Sequence, residues 1–240
     1  MRELLDVTVR YGNIVALDNV SVRIAEGERV AVVGPNGAGK TTLLKALCNN
    51  AAETAALYNS AAETAALHSV AVVPQTLPAD LHLVARDFVM LGRTAHLSAW
   101  RAPSRADEEA VDRALAAVDA TDLARRRMDA VSGGERQRLT LALALATEAP
   151  CLLLDEPVAH LDFRRRDELF SLLARLGKTI LMALHELPFD TDFFTRVILM
   201  SAGRIVADGT PDEVLTEANL TAAYSVPVSV VSRLAARLKR

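Results

Sequence analysis

Arg29-Val30-Ala31-Val32-Val33 runs straight into Gly34-Pro35-Asn36-Gly37-Ala38-Gly39-Lys40-Thr41, and Thr41–Leu47 follows with the apolar spacing of a helix. The first five residues are a short run rich in β-branched apolar side chains and read as a strand. Gly34 to Thr41 fits G-x-x-x-x-G-K-[ST], whose meaning depends on a strand before it and a helix after it, and both are predicted here. Glycines let the backbone curl so that successive N–H groups point inward. The helix start adds its positive dipole end, Lys40 can bridge outer phosphates, and Thr41 offers a hydroxyl to magnesium. The chain is therefore expected to hold a phosphate.

On either side of this stretch the pattern is α/β. Leu5, Val7 and Val9 alternate with Asp6, Thr8 and Arg10, and after a turn at Tyr11-Gly12-Asn13 the residues Val20, Val22 and Ile24 repeat the alternation, predicting half-buried antiparallel strands. Further strands are expected at Val70–Val73, Cys151–Leu154, Thr179–Leu184 and Val197–Met200, with Ile205–Val206 as a hairpin arm after Ala202-Gly203. Ser104 opens a capping box with Asp107, and Ala110, Val111, Ala114, Leu115 and Val118 mark one helix face. Thr210-Pro211-Asp212-Glu213 starts another helix. Strands alternating with helices imply a mostly parallel sheet covered by helices. No strand is expected between about Ala85 and Ala130. The repeat Ala51-Ala52-Glu53-Thr54-Ala55-Ala56-Leu57, identical at Ala61–Leu67, favours helix by composition, and two copies make no solenoid.

Two more stretches carry chemistry. Cys151-Leu152-Leu153-Leu154-Asp155-Glu156-Pro157 is an apolar strand ending in two carboxylates, Asp155 suited to a magnesium shell and Glu156 to a water attacking a γ-phosphate. Val131-Ser132-Gly133-Gly134-Glu135-Arg136-Gln137-Arg138 precedes the apolar helix Leu139–Ala146, placing Ser132 and two glycines at a helix N-terminus, again suited to an anion.

Composition limits the partners. The 240 residues allow one large domain or two modest ones, and 51% apolar with 24% charged residues excludes a disordered chain. Lys plus Arg is 27 against 30 for Asp plus Glu, a net charge of -3 with no electrostatic footprint for nucleic acid. Cys48 and Cys151 form no metal-ligand spacing. Met1-Arg2-Glu3 does not open a signal peptide, and the longest uncharged stretch, Thr64–Ala79, carries Pro74, Gln75 and Pro78, too polar to span a bilayer. A soluble, cytoplasmic chain is expected, any membrane role coming through a partner. Arg125–Arg127 and Arg164–Arg166 are expected as solvated faces.

Gly34–Thr42, Ser132–Gln137, Leu152–Glu156 and His185 together resemble the nucleotide-binding subunits of ATP-binding-cassette transporters over nearly the whole chain. The resemblance implies a single P-loop NTPase domain over residues 1–240, α/β with a mostly parallel sheet, an antiparallel β subdomain at about 1–30 and a helical insert at about 85–135. It implies ATP and Mg2+ as cofactors, with Tyr11, Gly34, Asn36, Gly37, Gly39, Lys40, Thr41 and Thr42 on the nucleotide. Ser132, Gly133, Gly134, Gln137 and Asp162 would meet the nucleotide across a homodimer. Glu156, His185 and Gln75 would be catalytic, His185 as the switch histidine and Gln75 as the Q-loop glutamine facing the membrane partner. Thr41, Gln75 and Asp155 would hold the metal. The partners implied are a second copy in the ATP-bound state, a permease dimer on the inner face of the membrane and, indirectly, a substrate-binding protein, with no nucleic acid.

Val89–Leu97, His160-Leu161-Asp162, Leu184–Leu187 and Ala223–Val228 are similar to segments of ATPases that import iron–siderophores, haem or vitamin B12, although Glu186 stands where those more often have Asp. The Ala51–Leu67 repeat departs from the family, which usually has a short strand there. Competing expectations are a zinc, manganese or amino-acid importer, a soluble ATPase of the same fold such as one for iron–sulfur cluster assembly, and a binding module that closes on ATP without hydrolysing it. Glu156 and His185 speak against the last.

Overall fold

The structure, a computed structural model, describes residues 2–49, 70–74, 81–96, 102–158, 161–185 and 191–225. Its elements are β1 (Arg2–Tyr11), β2 (Ile14–Ile24), β3 (Arg29–Val33), α1 (Lys40–Asn49), β4 (Val70–Val73), α2 (Ala85–Met90), α3 (Arg105–Ala117), α4 (Gly133–Ala146), β5 (Cys151–Asp155), α5 (Phe163–Arg175), β6 (Thr179–Ala183), β7 (Arg196–Ser201), β8 (Arg204–Gly209), α6 (Pro211–Val214) and α7 (Glu217–Tyr224). The Ala51–Leu67 repeat, Gln75, His160, Glu186 and the segment Val226–Val228 lie outside the described residues. No helix among the described residues is long and apolar enough to cross a membrane.

The chain forms two compact units. One comprises residues 1–59, 154–156 and 178–240, the other residues 60–153 and 157–177. In the first, β1 and β2 pair antiparallel as a sheet of their own. The expected alternation holds at Val7 and Val9, which are buried, but Leu4 is buried and Leu5 is 69% exposed. A register shift between Leu4 and Val7 is the reason. Asp6 takes a positive φ of 51°, and its N–H is answered by the Ser21 hydroxyl at 2.8 Å, so the strand skips one step of its pleat. A period-2 pattern has no term for such a bulge.

The second sheet runs β5-β6-β3-β7-β8 through the first unit. β3 is flanked by β6 and β7, both parallel to it, which explains why Val30 to Val33 form an unbroken buried run. β7 and β8 close as an antiparallel hairpin. α1 packs on β1, β2 and β6, while α7 packs on β7 and β8.

In the second unit β4 lies beside β5. α4 is apolar nearly all round, with Leu139, Leu141, Ala142, Ala144 and Leu145 buried, so it occupies the centre of this unit and touches α2, α3 and β4. α3 begins with the expected Ser104–Asp107 capping box and buries Ala110, Val111, Ala114 and Leu115. No strand forms among the described residues between Ala85 and Ala130, where short 3-10 turns join the helices.

Candidate functional site

The loop after β3 is shaped by what its first glycine touches. Gly34 has a φ of 150°, and a Cβ there would collide with the Met200 carbonyl oxygen of β7. Only a residue without a side chain lets the loop leave β3 so close to its neighbour. Further on, Pro35 O accepts from the Ala38 N–H at 3.1 Å, and Ala38 O accepts from Gly203 N–H at 3.0 Å, fixing the loop against the β7–β8 turn.

Lys40, the first residue of α1, is only 6% exposed. Its ammonium donates to Gly34 O at 2.8 Å and Pro35 O at 3.1 Å. Burial pulls its pKa below the usual lysine value, opposed by the carboxylates of Glu156 and Asp155. The loop therefore keeps a desolvated cation at the start of a helix, where a second positive end is supplied by the backbone. Thr41 follows, its hydroxyl donating to the Asp155 carboxylate at 3.2 Å. Two hard oxygen groups, one from α1 and one from the end of β5, thus face each other.

Glu156 sits just past β5 with a φ of 51°, unusual for a residue with a side chain. Its N–H is bound by Ala183 O at 3.0 Å, which ties the strained turn to the end of β6. The result is a half-buried carboxylate whose oxygen lies 3.6 Å from His185 Nε2. Tyr11 stands at the β1–β2 turn and is 45% exposed.

In the second unit Ser132 is the N-cap of α4 and Gly133 and Gly134 form its first turn. The serine is where the sequence pattern puts it; its partner Glu135 is an addition of the structure. Glu135 completes a capping box, its carboxylate accepting the Ser132 N–H at 2.7 Å. The Gln137 amide donates to Pro157 O. Asp162 caps α5 by accepting the Arg165 N–H at 2.9 Å. Arg165 is exposed, as expected of a solvated face, and from there lays its guanidinium over Gly134, 2.9 Å from where a Cβ would project. The S-x-x-E spacing could have revealed Glu135; nothing local could have revealed Arg165, which meets Gly134 only through the fold. Arg126 and Arg127, exposed as expected, pair at the surface with Glu135 and Asp129. Ser132, Gly134 and Arg165 open onto a cleft of about 890 Å³ between α4 and α5.

The structure thus gathers Lys40, Thr41, Asp155, Glu156 and His185 in the first unit, and Ser132, Gly133, Gly134, Gln137 and Asp162 in the second. Gln75 lies outside the described residues.

Residues 17–159 match the ABC transporter family profile. The chain is 39% identical over 225 residues to the hemin import ATP-binding protein HmuV of Nocardia farcinica, covering 90% of this chain and 77% of that protein. It is 31% identical over 235 residues to the iron(3+)-hydroxamate import ATP-binding protein FhuC of Bacillus subtilis, covering 93% and 87%. Among solved structures, a metal-chelate type ABC transporter in an inward-facing conformation superposes with a TM-score of 0.80 at 26% identity, over 94% of this chain and 89% of that one. The ATP-binding cassette MJ0796, solved as a dimer in a post-hydrolysis state with ADP and Pi, superposes with a TM-score of 0.72 at 26% identity, over 88% and 98%.

Proposed function

The chain belongs to the ABC transporter family, and on that premise we propose that it is the ATP-hydrolysing subunit of an importer that takes up a metal chelate, such as a ferric siderophore, haem or cobalamin. The observation that carries the hydrolytic reading is the Lys40, Thr41, Asp155, Glu156 and His185 constellation in one unit. The chelate class rests on the relatives, which are named for import of hemin, iron(3+)-hydroxamate and cobalamin.

Each residue has a distinct task. Lys40 gives up its loop carbonyls for the outer phosphate oxygens, a stronger, charge-assisted partner. Glu156, held rigid by its Ala183 hydrogen bond, orients the attacking water and accepts its proton as the water oxygen bonds to γ-phosphorus and the bond to the β-phosphate oxygen breaks. His185, beside Glu156, donates to the γ-phosphate. Tyr11 stacks on the adenine. Thr41 and Asp155 suit Mg2+, which prefers hard oxygens and keeps few protein ligands; among the described residues no three His, Cys, Asp or Glu gather into a metal cage. When bound, the ion neutralises charge on the phosphates. Ser132, Gly133, Gly134, Gln137 and Asp162 serve the nucleotide of a second copy, while Gln75 and the helical residues at about 85–135 meet the permease, which places the subunit on the inner face of the membrane.

Deletion of the gene and uptake of labelled ferric siderophore, haem and cobalamin, set against zinc and amino acids, tests the substrate class. Loss of one chelate alone is expected. Loss confined to zinc or amino acids refutes the chelate reading and leaves the ATPase reading standing.

A further inference from the structure

The last residue of α7, Tyr224, reaches the first residue of the phosphate loop. Ser201, at the end of β7, donates its hydroxyl to Ala223 O at 3.0 Å and so seats the end of α7 beside that strand. Leu220 and Ala223 are buried beneath it. Gly34 presses on the carbonyl of Met200, the residue before Ser201. The Tyr224 hydroxyl therefore arrives at the Gly34 backbone, close enough to feel its N–H. It is sealed from solvent and makes no full hydrogen bond among the described residues. Burial pushes the phenol's pKa up, against the influence of that N–H, so the hydroxyl keeps its proton at neutral pH.

A buried hydroxyl left short of a partner is costly. Here it stands at one of the two residues whose carbonyls hold Lys40. We propose that Tyr224 is a positioning residue for the phosphate loop, its phenol accepting the Gly34 N–H fully once a nucleotide occupies the loop. Lys40 leaves Gly34 O for phosphate, the Gly34 peptide is released to adjust, and the phenol fixes it in the adjusted place. Nucleotide and α7 then stabilise one another, because a coupling between two sites is reciprocal. The inference rests on the reading that this loop binds nucleotide.

The test uses the full chain and ADP. Tyr224→Phe keeps the ring and removes the oxygen. It is expected to weaken ADP binding about fivefold, the size of one neutral hydrogen bond, with an unliganded Tm unchanged. Hydrogen exchange over residues 217–224 is expected to slow on ADP addition in the wild type and much less in the variant. Ser201→Ala, which loosens the seat of α7, is expected to weaken ADP binding less, and the double variant no more than Tyr224→Phe alone, since both act through one contact. Equal ADP affinity in wild type and Tyr224→Phe, or strictly additive losses, overturns the proposal while leaving nucleotide binding intact. A wild type that does not bind ADP overturns the nucleotide reading itself.

Discussion

Lys40 is a cation taken out of water and given two carbonyl oxygens in return. Neutral carbonyls compensate a buried ammonium poorly, and the Glu156 and Asp155 carboxylates offset its burial only in part, so on the proposed mechanism the side chain is poised for a phosphate. Lys40→Ala should therefore cost about 10- to 100-fold in ATP affinity by calorimetry, the range for a charge-assisted hydrogen bond. On the proposed mechanism, Glu156→Gln removes the proton acceptor and not the grip. Its ATP affinity should stay within about threefold, and phosphate release should fall by about 100-fold or more; turnover like that of the wild type would remove Glu156 from this role. These residues were legible in the sequence because a phosphate loop and a strand-end carboxylate pair are contiguous and their chemistry is local. Tyr224 was legible only as part of a C-terminal segment. Its contact joins residues 34 and 224 past the end of β7, and no spacing rule spans that distance.

The packing of helices in the second unit turns on one buried arginine. Gly92 lets the 3-10 turn Leu91–His96 lie directly on α4, since a Cβ there would strike the Leu143 carbonyl. Arg93 is thereby driven inside, 6% exposed, where it donates to Asp107 at 3.0 Å and to Ala146 O and Glu148 at 2.8 Å each. α3, α4 and the turn are thus joined by one guanidinium. The Ser104 hydroxyl, then its N–H, then Arg93 hold the Asp107 carboxyl down at about 2. A depressed carboxyl contributes stability above its unfolded pKa of about 4 and loses it as pH falls towards the folded value. Arg93→Leu leaves the buried Asp107 carboxylate without its cation, while half-exposed Glu148 keeps Arg113, and should destabilise the chain by about 3 kcal/mol in urea unfolding at neutral pH. The gap to wild type should narrow between about pH 4 and pH 2. A gap that is small, or constant with pH, would show that the arginine only fills space. The Ser104 cap was readable from the sequence, as was the helical character of the segment. The burial of Arg93 is not legible locally, because it depends on partners 14 and 55 residues away.

The chain as a whole carries two kinds of anion-seeking surface, one in each compact unit. The loop around Lys40 has its own carboxylate and histidine beside it. At the start of α4 the carboxylate, Glu135, is engaged by the Ser132 N–H; what the helix end offers is first-turn N–H groups, which lack intrahelical partners in any helix, with the Arg165 guanidinium over Gly134. A positive helix end without hydrolytic groups is useful to a phosphate delivered by another copy, and the dimeric cassette that this chain resembles in fold carries ADP and Pi. ATP should therefore bring two copies together head to tail, and Glu156→Gln, which binds without hydrolysing, should hold the pair long enough to measure by light scattering. Ser132→Asp supplies the decisive arm. Aspartate caps a helix as well as serine, so α4 keeps its cap; the variant gives up the Ser132 side-chain hydrogen bond to Glu135 and sets a second negative charge before the arriving phosphate. The double variant Glu156→Gln, Ser132→Asp should keep the ATP affinity of Glu156→Gln, unfold cooperatively at a somewhat lower Tm and remain monomeric. A dimer that survives Ser132→Asp would place the contact elsewhere, and a monomer in both variants would mean that α4 never meets the nucleotide of a second copy.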